Sequence, residues 1–455
     1  MTDDVGETRP GLTYYAPEVR LVALGELTGE GEEGRVLDQE RRDVLDVEVN
    51  LVHTGSGQYT IVLNNWQDTL TGRRQEGRGG GSEAGAGAAP PWPPYKYNDF
   101  STFRFGRRLR LDMRYWPEHP TGLNEAQAAA HTWVPIIAGP ITDMRFSFAG
   151  SEGSRLTLVG EDDLYLLKKK SARKVVFRDK TEEEIIRAVL SPEAANYPLS
   201  WREPQIPWPD FFTDRSNAIA DTLQEGQSYL EFLQKIAKRF DCEVFVEFNE
   251  LSAEAPAVGF HFETARSRVP VDTTIRDIYV LSWGQNLIDF QPTFSVFDQY
   301  TQVTVWGRHR IRQRPRRVMG QAGPDDLAAE LPRDAARGDA EVVPAPTVRQ
   351  HFFGATHGPN DPQPPNQTNL DEARANEMAR ATLREKARQF LTITATTIGL
   401  PQLRPGRYVE IRGLRPPFDG FYYVTRSTFR FGAGGFTTQL TARRPGMPLP
   451  PYDED

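Results

Sequence analysis

The sequence predicts a mainly β protein carrying an α+β insertion, and three features say so. Apolar and polar residues alternate over most of the chain, at the period of two that places every second side chain on a common sheet face. Two capping boxes, Thr181 with Glu184 and Ser228 with Glu231, fall near the middle, so the expected helices interrupt β regions. Beyond them Ile288, Phe290, Pro292, Phe294 and Val296 alternate, and Val303 with Val305 resume the pattern after a polar break at Asp298 and Gln299.

In chain order, alternation begins at Val19, Leu21 and Ala23 and continues through Leu45, Val47, Val49 and Leu51. After the turn-like segment His53 to Gly57 it resumes at Tyr59, Ile61 and Leu63. Strand signals return at Phe103 and Phe105, at Leu109, Leu111 and Met113, at Met144, Phe146 and Phe148, and at Leu156 and Leu158. Short strands separated by turns suit a small barrel or sandwich, which places a first β domain at 1–167. Its stretch 72–94 is too rich in glycine, alanine and proline to build a core and reads as a flexible insertion.

An α/β subdomain is expected over 168–274. Ile185, Ile186, Val189 and Leu190 give a short helix, and the proline- and tryptophan-rich stretch Pro198 to Pro209 reads as extended. Tyr229, Phe232, Leu233, Ile236 and Phe240 form the stripe of the clearest helix. The strand Cys242 to Phe248 follows, with Cys242, Val244, Val246 and Phe248 on one face. A second β unit takes 275–310 and 369–445, split by a polar insertion at 311–368. Asn369 and Glu372 are expected to cap a helix with Ala375, Met378, Ala379 and Ala387 inward, and the threonine-rich run 391–398 leads into the closing strands. Residues 446–455 read as a loose tail.

At 455 residues the chain is long enough for several cores. Its 54 basic and 62 acidic residues leave a net charge of -8, which argues against a broad nucleic-acid-binding face. A lone cysteine, Cys242, rules out an internal disulfide and thiolate-rich metal sites, and a reducing compartment fits. The acidic start MTDDVGETRP has no apolar leader and the apolar runs are too short to span a bilayer, so cytoplasmic synthesis without membrane insertion is expected.

Chemistry-bearing patterns are sparse. None of the seven histidines sits in an HExxH spacing, and the glycines 79–81 lack the strand and the GK[ST] of a phosphate loop. Adjacent acids such as Asp162 and Asp163 read as a solvated face, no GxSxG elbow occurs, and Cys242 reads as a buried, inert thiol. No enzyme, metal or cofactor is expected. One charged cluster stands out between Gly307 and Arg317, carrying Arg308, Arg310, Arg312, Arg314, Arg316 and Arg317. It reads either as a solvated loop base or as a docking site for an acidic neighbouring subunit. Nucleic-acid contact is the least favoured reading, because aromatic interleaving is missing.

Three segments in this order resemble the phage late control protein D family, hubs of contractile tails related to the first part of VgrG spikes. They are SYLEFLQKIAKRFDCEVFVEF from Ser228, WGQNLIDFQPTFSVFDQYTQVTVWG from Trp283 and LRPGRYVEIRGLRPPFDGFYYVTRSTFRFGAGGFTTQLTARR from Leu403. The segments EVRLVALG and VLDVEVNLVHTGSGQYTIVLNNW fit the family's first barrel more loosely. Two departures are Asp241, where a glycine is expected, and Thr428, where many relatives carry histidine.

The resemblance implies two small β-barrels per chain plus the α/β subdomain, three copies in a ring, and no catalytic residue. Six roughly equivalent barrels would match a sixfold inner tube to a threefold spike inside a phage tail or contractile injection particle. Implied partners are further copies of the chain, a separate spike protein, the inner tube protein and other baseplate subunits, with no specific nucleic acid. Phe294, Phe297, Tyr300, Phe429 and Phe431 are candidates for barrel cores or seams. A glycan-binding or glycan-degrading multi-domain β protein is the main alternative, and a nucleic-acid-binding tail component the second.

Overall fold

A computed structural model describes residues 16–25, 34–66, 95–116, 133–149, 153–168, 174–191, 200–201, 210–214, 219–223, 226–248, 258–264, 279–296, 299–311, 314–323, 325–327, 342–346, 348, 367–368 and 371–448. The expected insertion 72–94, the tail after 448, and Phe297 lie outside them.

The N-terminal region supplies β1 (Ala16–Ala23), β2 (Arg35–Val36), β3 (Val44–Val52), β4 (Gln58–Asn64), β5 (Arg108–Trp116), β6 (Val134–Ala149) and β7 (Gly153–Glu161). Alternation does what it should: Tyr59, Ile61 and Leu63 of β4 are buried between half-buried neighbours. They join Val19, Leu21, Val47, Val49, Leu109, Leu111, Leu156 and Leu158 in one core. Strand β6 turns a corner, since Val134 to Pro140 pairs with β5 while Ile141 to Ala149 pairs with β7.

The middle region holds β8 (Val175–Lys180), α1 (Glu182–Val189), β9 (Ser200–Trp201), β10 (Ile219–Leu223), α2 (Tyr229–Arg239), β11 (Cys242–Phe248) and β12 (Val258–Thr264). Both capping boxes form as the sequence predicts, with Thr181 accepting from the Glu184 amide and Ser228 from the Glu231 amide. The apolar faces of α1 and α2 meet Cys242 and Val244 of β11 and Phe260 and Phe262 of β12 in a second core. Cys242 is buried as expected, and burial pushes its thiol well above the ordinary range.

The rest of the chain forms β13 (Tyr279–Ser282), β14 (Leu287–Phe294), β15 (Val303–Ile311), β16 (Arg314–Ala322), β17 (Val342–Pro344), β18 (Gln367–Thr368), α3 (Glu372–Ala387), β19 (Leu391–Ile398), β20 (Tyr408–Arg412), β21 (Gly420–Gly432), β22 (Gly435–Arg444) and β23 (Gly446–Pro448). The N-cap of α3 is Asp371, two residues beyond the expected Asn369; its side chain accepts from the Arg374 amide. Ala375, Met378, Ala379 and Ala387 are buried as expected.

Two further expectations need correction. A bulge between Leu287 and Asp289 shifts the parity of β14, so Leu287 is buried while Ile288 is 55% exposed. Pro292, which cannot donate to a ladder, is accommodated because β14 pairs with β19 and with no other strand among the described residues. The second correction concerns β15. It does not join the second β unit but pairs antiparallel with β16, drawn from the expected polar insertion, and Val303 and Val305 enter the core of α1 and α2. Gly320 makes the fit of this hairpin on α3 possible, because a Cβ there would lie 2.1 Å from the Ala375 carbonyl carbon.

The protein is mainly β, built on one 13-stranded sheet in the order β14-β19-β22-β21-β3-β4-β7-β6-β5-β1-β2, with β13 and β20 attached through β21. The two β units are continuous because β21 pairs with β3, Phe431 facing Val47 and Arg426 facing Val52. A bulge between Val424 and Arg426 changes the parity of β21 on the way. Before it, Tyr422 and Val424 fill the core of the second unit; after it, Phe429 enters that of the first. The described pairings run as an open path, and closure of either unit into a barrel is not among them.

Candidate functional site

The chain's three regions meet at the turn between β3 and β4. The His53 amide donates to the Thr425 carbonyl of β21 at 2.9 Å, and the Gly55 amide donates to Val244 of β11 at 2.7 Å. Gly57 donates its amide to Asp162 at 2.5 Å, and Ser56 adds its hydroxyl at 2.8 Å. Five consecutive residues thus bind the second β unit, the α/β core and the end of β7.

Strand β11 is covered on both faces. Cys242 and Val244 point into the helical core, while Glu243, Phe245 and Glu247 face the turn and the second β unit. Glu243 accepts from the Tyr423 hydroxyl and lies 3.4 Å from Arg443 and 3.8 Å from His53 Nε2. Glu247 accepts from Arg407 at 2.9 Å. The adjacent cleft is lined by Leu51, His53, Asp162, Phe245, Phe248 and Arg404.

The electrostatics are those of a closed joint. Burial pushes the Asp162 carboxyl up to about 7, against the stabilising hydrogen bonds from Gly57 and Ser56, and Asp163 beside it pushes the same way. Burial holds His53 below the ordinary histidine value despite Glu243. Arg404 donates to the main-chain carbonyls of Pro135 and Ile136, and burial lowers it to about 10. His53 contacts a main-chain carbonyl and a glutamate, and among the described residues no hydroxyl or thiol is hydrogen-bonded to it; the bonds of the turn hold three regions against each other.

Of the six arginines singled out in the sequence, five have a described backbone. The β15–β16 hairpin sets Arg308 opposite Arg317, Arg316 opposite His309, and Arg310 and Arg314 towards its far end. Arg312 lies outside the described residues. The Arg317 guanidinium sits 4.1 Å over the ring of Trp306, which is itself exposed, so an aromatic partner is present after all.

Sequence reading passed over a surface patch on the first β unit. Trp66 and Tyr95 pair edge to face at 6.1 Å, Tyr95 reaches Phe148 at 4.9 Å, and Phe146 and Phe148 lie parallel at 6.3 Å, with Phe100 edge-on to Phe146. Phe148 is 57% exposed. Phe146 and Phe148 stand at alternate positions of the half of β6 beyond β5; Phe146 packs at the margin of the first core and Phe148 extends past it into solvent. Of the other expected seam residues, Phe429 is buried, Phe431 and Tyr300 are partly buried, and Phe294 packs edge to face on Phe390 at 5.7 Å.

Among the described residues no group of three or more His, Cys, Asp or Glu is placed to hold a metal ion, and no helix is long and apolar enough to cross a membrane.

No family model and no curated protein matches the sequence. Solved structures do. The tail protein from Neisseria meningitidis aligns with a TM-score of 0.52 at 11% identity, covering 94% of this chain and 97% of its own. A prophage MuSo2 tail protein from Shewanella oneidensis aligns at 0.49 and 13% identity, covering 94% and 99%. An Escherichia coli type VI secretion component aligns at 0.46 and 12% identity, covering 90% and 74%. The chain has the fold of the Neisseria tail protein over nearly its whole length.

Proposed function

We propose that this chain is a non-enzymatic structural hub of a contractile tail or injection-system baseplate. The observation that carries the reading is the end-to-end likeness to the tail protein from Neisseria meningitidis, at a TM-score of 0.52 over 94% of the chain. The motif resemblance at Ser228, Trp283 and Leu403 points the same way from sequence.

In this reading the regions 1–167 and 275–302 with 391–445 are two small barrels around an α/β subdomain at 168–274, which the β15–β16 hairpin and α3 join. Three copies form a ring presenting six similar barrels to a sixfold inner tube and a threefold face to a separate spike protein. Other baseplate subunits complete the contacts, and the chain is made in the cytoplasm before entering the particle. Several features support assembly. The second core, the shared strand β21 and the three-way turn make the two β units one body, so they would move and dock together. The open edge of β14 and the exposed rings around Phe148 are surface that an assembled ring covers.

The test is the solution mass of the purified chain together with its image by electron microscopy. A particle of three chains with six similar lobes around a central opening is expected. A stable monomer at every concentration reached would sink the proposal.

A further inference from the structure

We infer that the arginine-bearing hairpin β15–β16 docks on an acidic surface of a second copy of this chain. The inference rests on the hub reading and names the polar contact that would join its copies. Elsewhere in the molecule several buried arginines have carboxylate partners: Arg374 pairs with Glu182 at 2.8 Å, Arg108 with Asp163 at 2.6 Å and Arg110 with Asp112 at 2.9 Å. Arg317 of the hairpin differs. Arg317 has no carboxylate partner among the described residues, and its guanidinium rests on the exposed Trp306 ring.

The backbone explains how the charge is presented. One face of the hairpin is anchored, with Val303, Val305 and Gly320 buried and Gly320 in close contact with α3. Trp306 and Met319, directly opposed in register, are exposed on the other. Past Gly307 and Val318 come Arg308 opposite Arg317, then Arg310, Arg314 and Arg316 within nine residues of each strand. The register thus gathers five arginines along one end of the ribbon's backbone, a concentration of positive charge that an acidic counter-surface complements.

Charge balance favours the chain itself as that surface. The formal net charge is -8, and setting aside the six arginines between Gly307 and Arg317 leaves -14 on the remainder. A basic projection on a body of net acidic charge is self-complementary in the heterologous, head-to-tail sense, which generates a ring where the rotation between copies closes.

The experiment is sedimentation equilibrium of the full chain, wild type and the triple variant Arg308→Glu, Arg310→Glu, Arg317→Glu, at low and high salt. Wild-type association is expected to weaken at least ~10-fold between about 50 mM and 500 mM salt, as exposed charge pairs are screened. The triple variant should fall apart at low salt with its circular dichroism unchanged. If that variant misfolds, the milder Arg317→Gln with the wild-type salt series decides. Association that ignores both salt and substitution overturns this inference while leaving the hub reading standing. A wild-type monomer throughout overturns both. Loss of DNA retention in the variant with self-association intact would likewise overturn it and assign the hairpin to nucleic acid.

Discussion

Asp241 and Arg388 close the joint between α2, β11 and α3. Asp241 takes a left-handed conformation, φ 56°, at the turn from α2 into β11, the position where the resemblance called for glycine. Its carboxylate accepts both Nη groups of Arg388, at 2.8 Å for Nη2, and Arg388 is the C-cap of α3. Both side chains are 9% exposed.

Two opposing effects therefore meet at Asp241. Glycine would relieve a left-handed strain of about 1 kcal/mol. It would also remove the carboxylate that faces the buried Arg388, at about 3 kcal/mol. Asp241→Gly is thus expected to destabilise by roughly 2 kcal/mol and Asp241→Ala by about 1 kcal/mol more, since alanine keeps the strain and loses the pair. Urea unfolding of the two variants decides the order; equal losses would mean the backbone is not strained.

Gly320 is the seat of the hairpin on α3. Its substitution by alanine places a methyl against main chain, which cannot rotate away. A loss of about 2–3 kcal/mol is expected. Gly106, whose Cβ position meets nothing within 4 Å but whose φ is 76°, should cost only about 1 kcal/mol on the same change. Thermal melts of both variants make the comparison, and a larger loss at Gly106 would refute the packing argument.

These contacts mark the limit of what the sequence discloses. The capping boxes at Thr181 and Ser228 are complete within four residues, so they were legible, as were the alternating strands of β4, β19 and β22. Glu243 and Glu247 were not, because polar residues at alternate positions read as a solvated face. Their partners Tyr423 and Arg407 lie 180 and 160 residues away. The bulges at Ile288 and in β21 escape for a related reason: parity is set by the strand across the ladder. The hairpin β15–β16 was hidden by composition, since arginine and proline in β16 mask a strand whose buried residues are Gly320 and Ala322.

Asp162 ties stability to pH. Its folded-state value is raised to about 7 from 3.8, so the folded chain binds the extra proton between these values. The stability linked to this group is full below about pH 4 and is lost as pH rises through about 7. Asp162→Asn removes the titration and should flatten the melting temperature between about pH 4.5 and 7.5, with a difference of at most a few kcal/mol across the window. Parallel melting curves for variant and wild type across that window would show that Asp162 is ionised throughout.

Arg374 and Glu182 make the last prediction, because the pair is asymmetric. The guanidinium of Arg374, in the first turn of α3, donates to both oxygens of Glu182 at 2.9 and 2.8 Å, and to Asp371 at 2.5 Å. Glu182 is 1% exposed, so removing the arginine strands a carboxylate in the core, while removing the glutamate leaves the arginine its second acid. Arg374→Ala is expected to cost about 3–5 kcal/mol, Glu182→Ala roughly 1–2 kcal/mol less, and replacement of both by methionine less than either alone. A double-mutant cycle from urea unfolding measures all three. Were the two single losses equal, Asp371 would contribute nothing to Arg374 and the contact would be a simple pair.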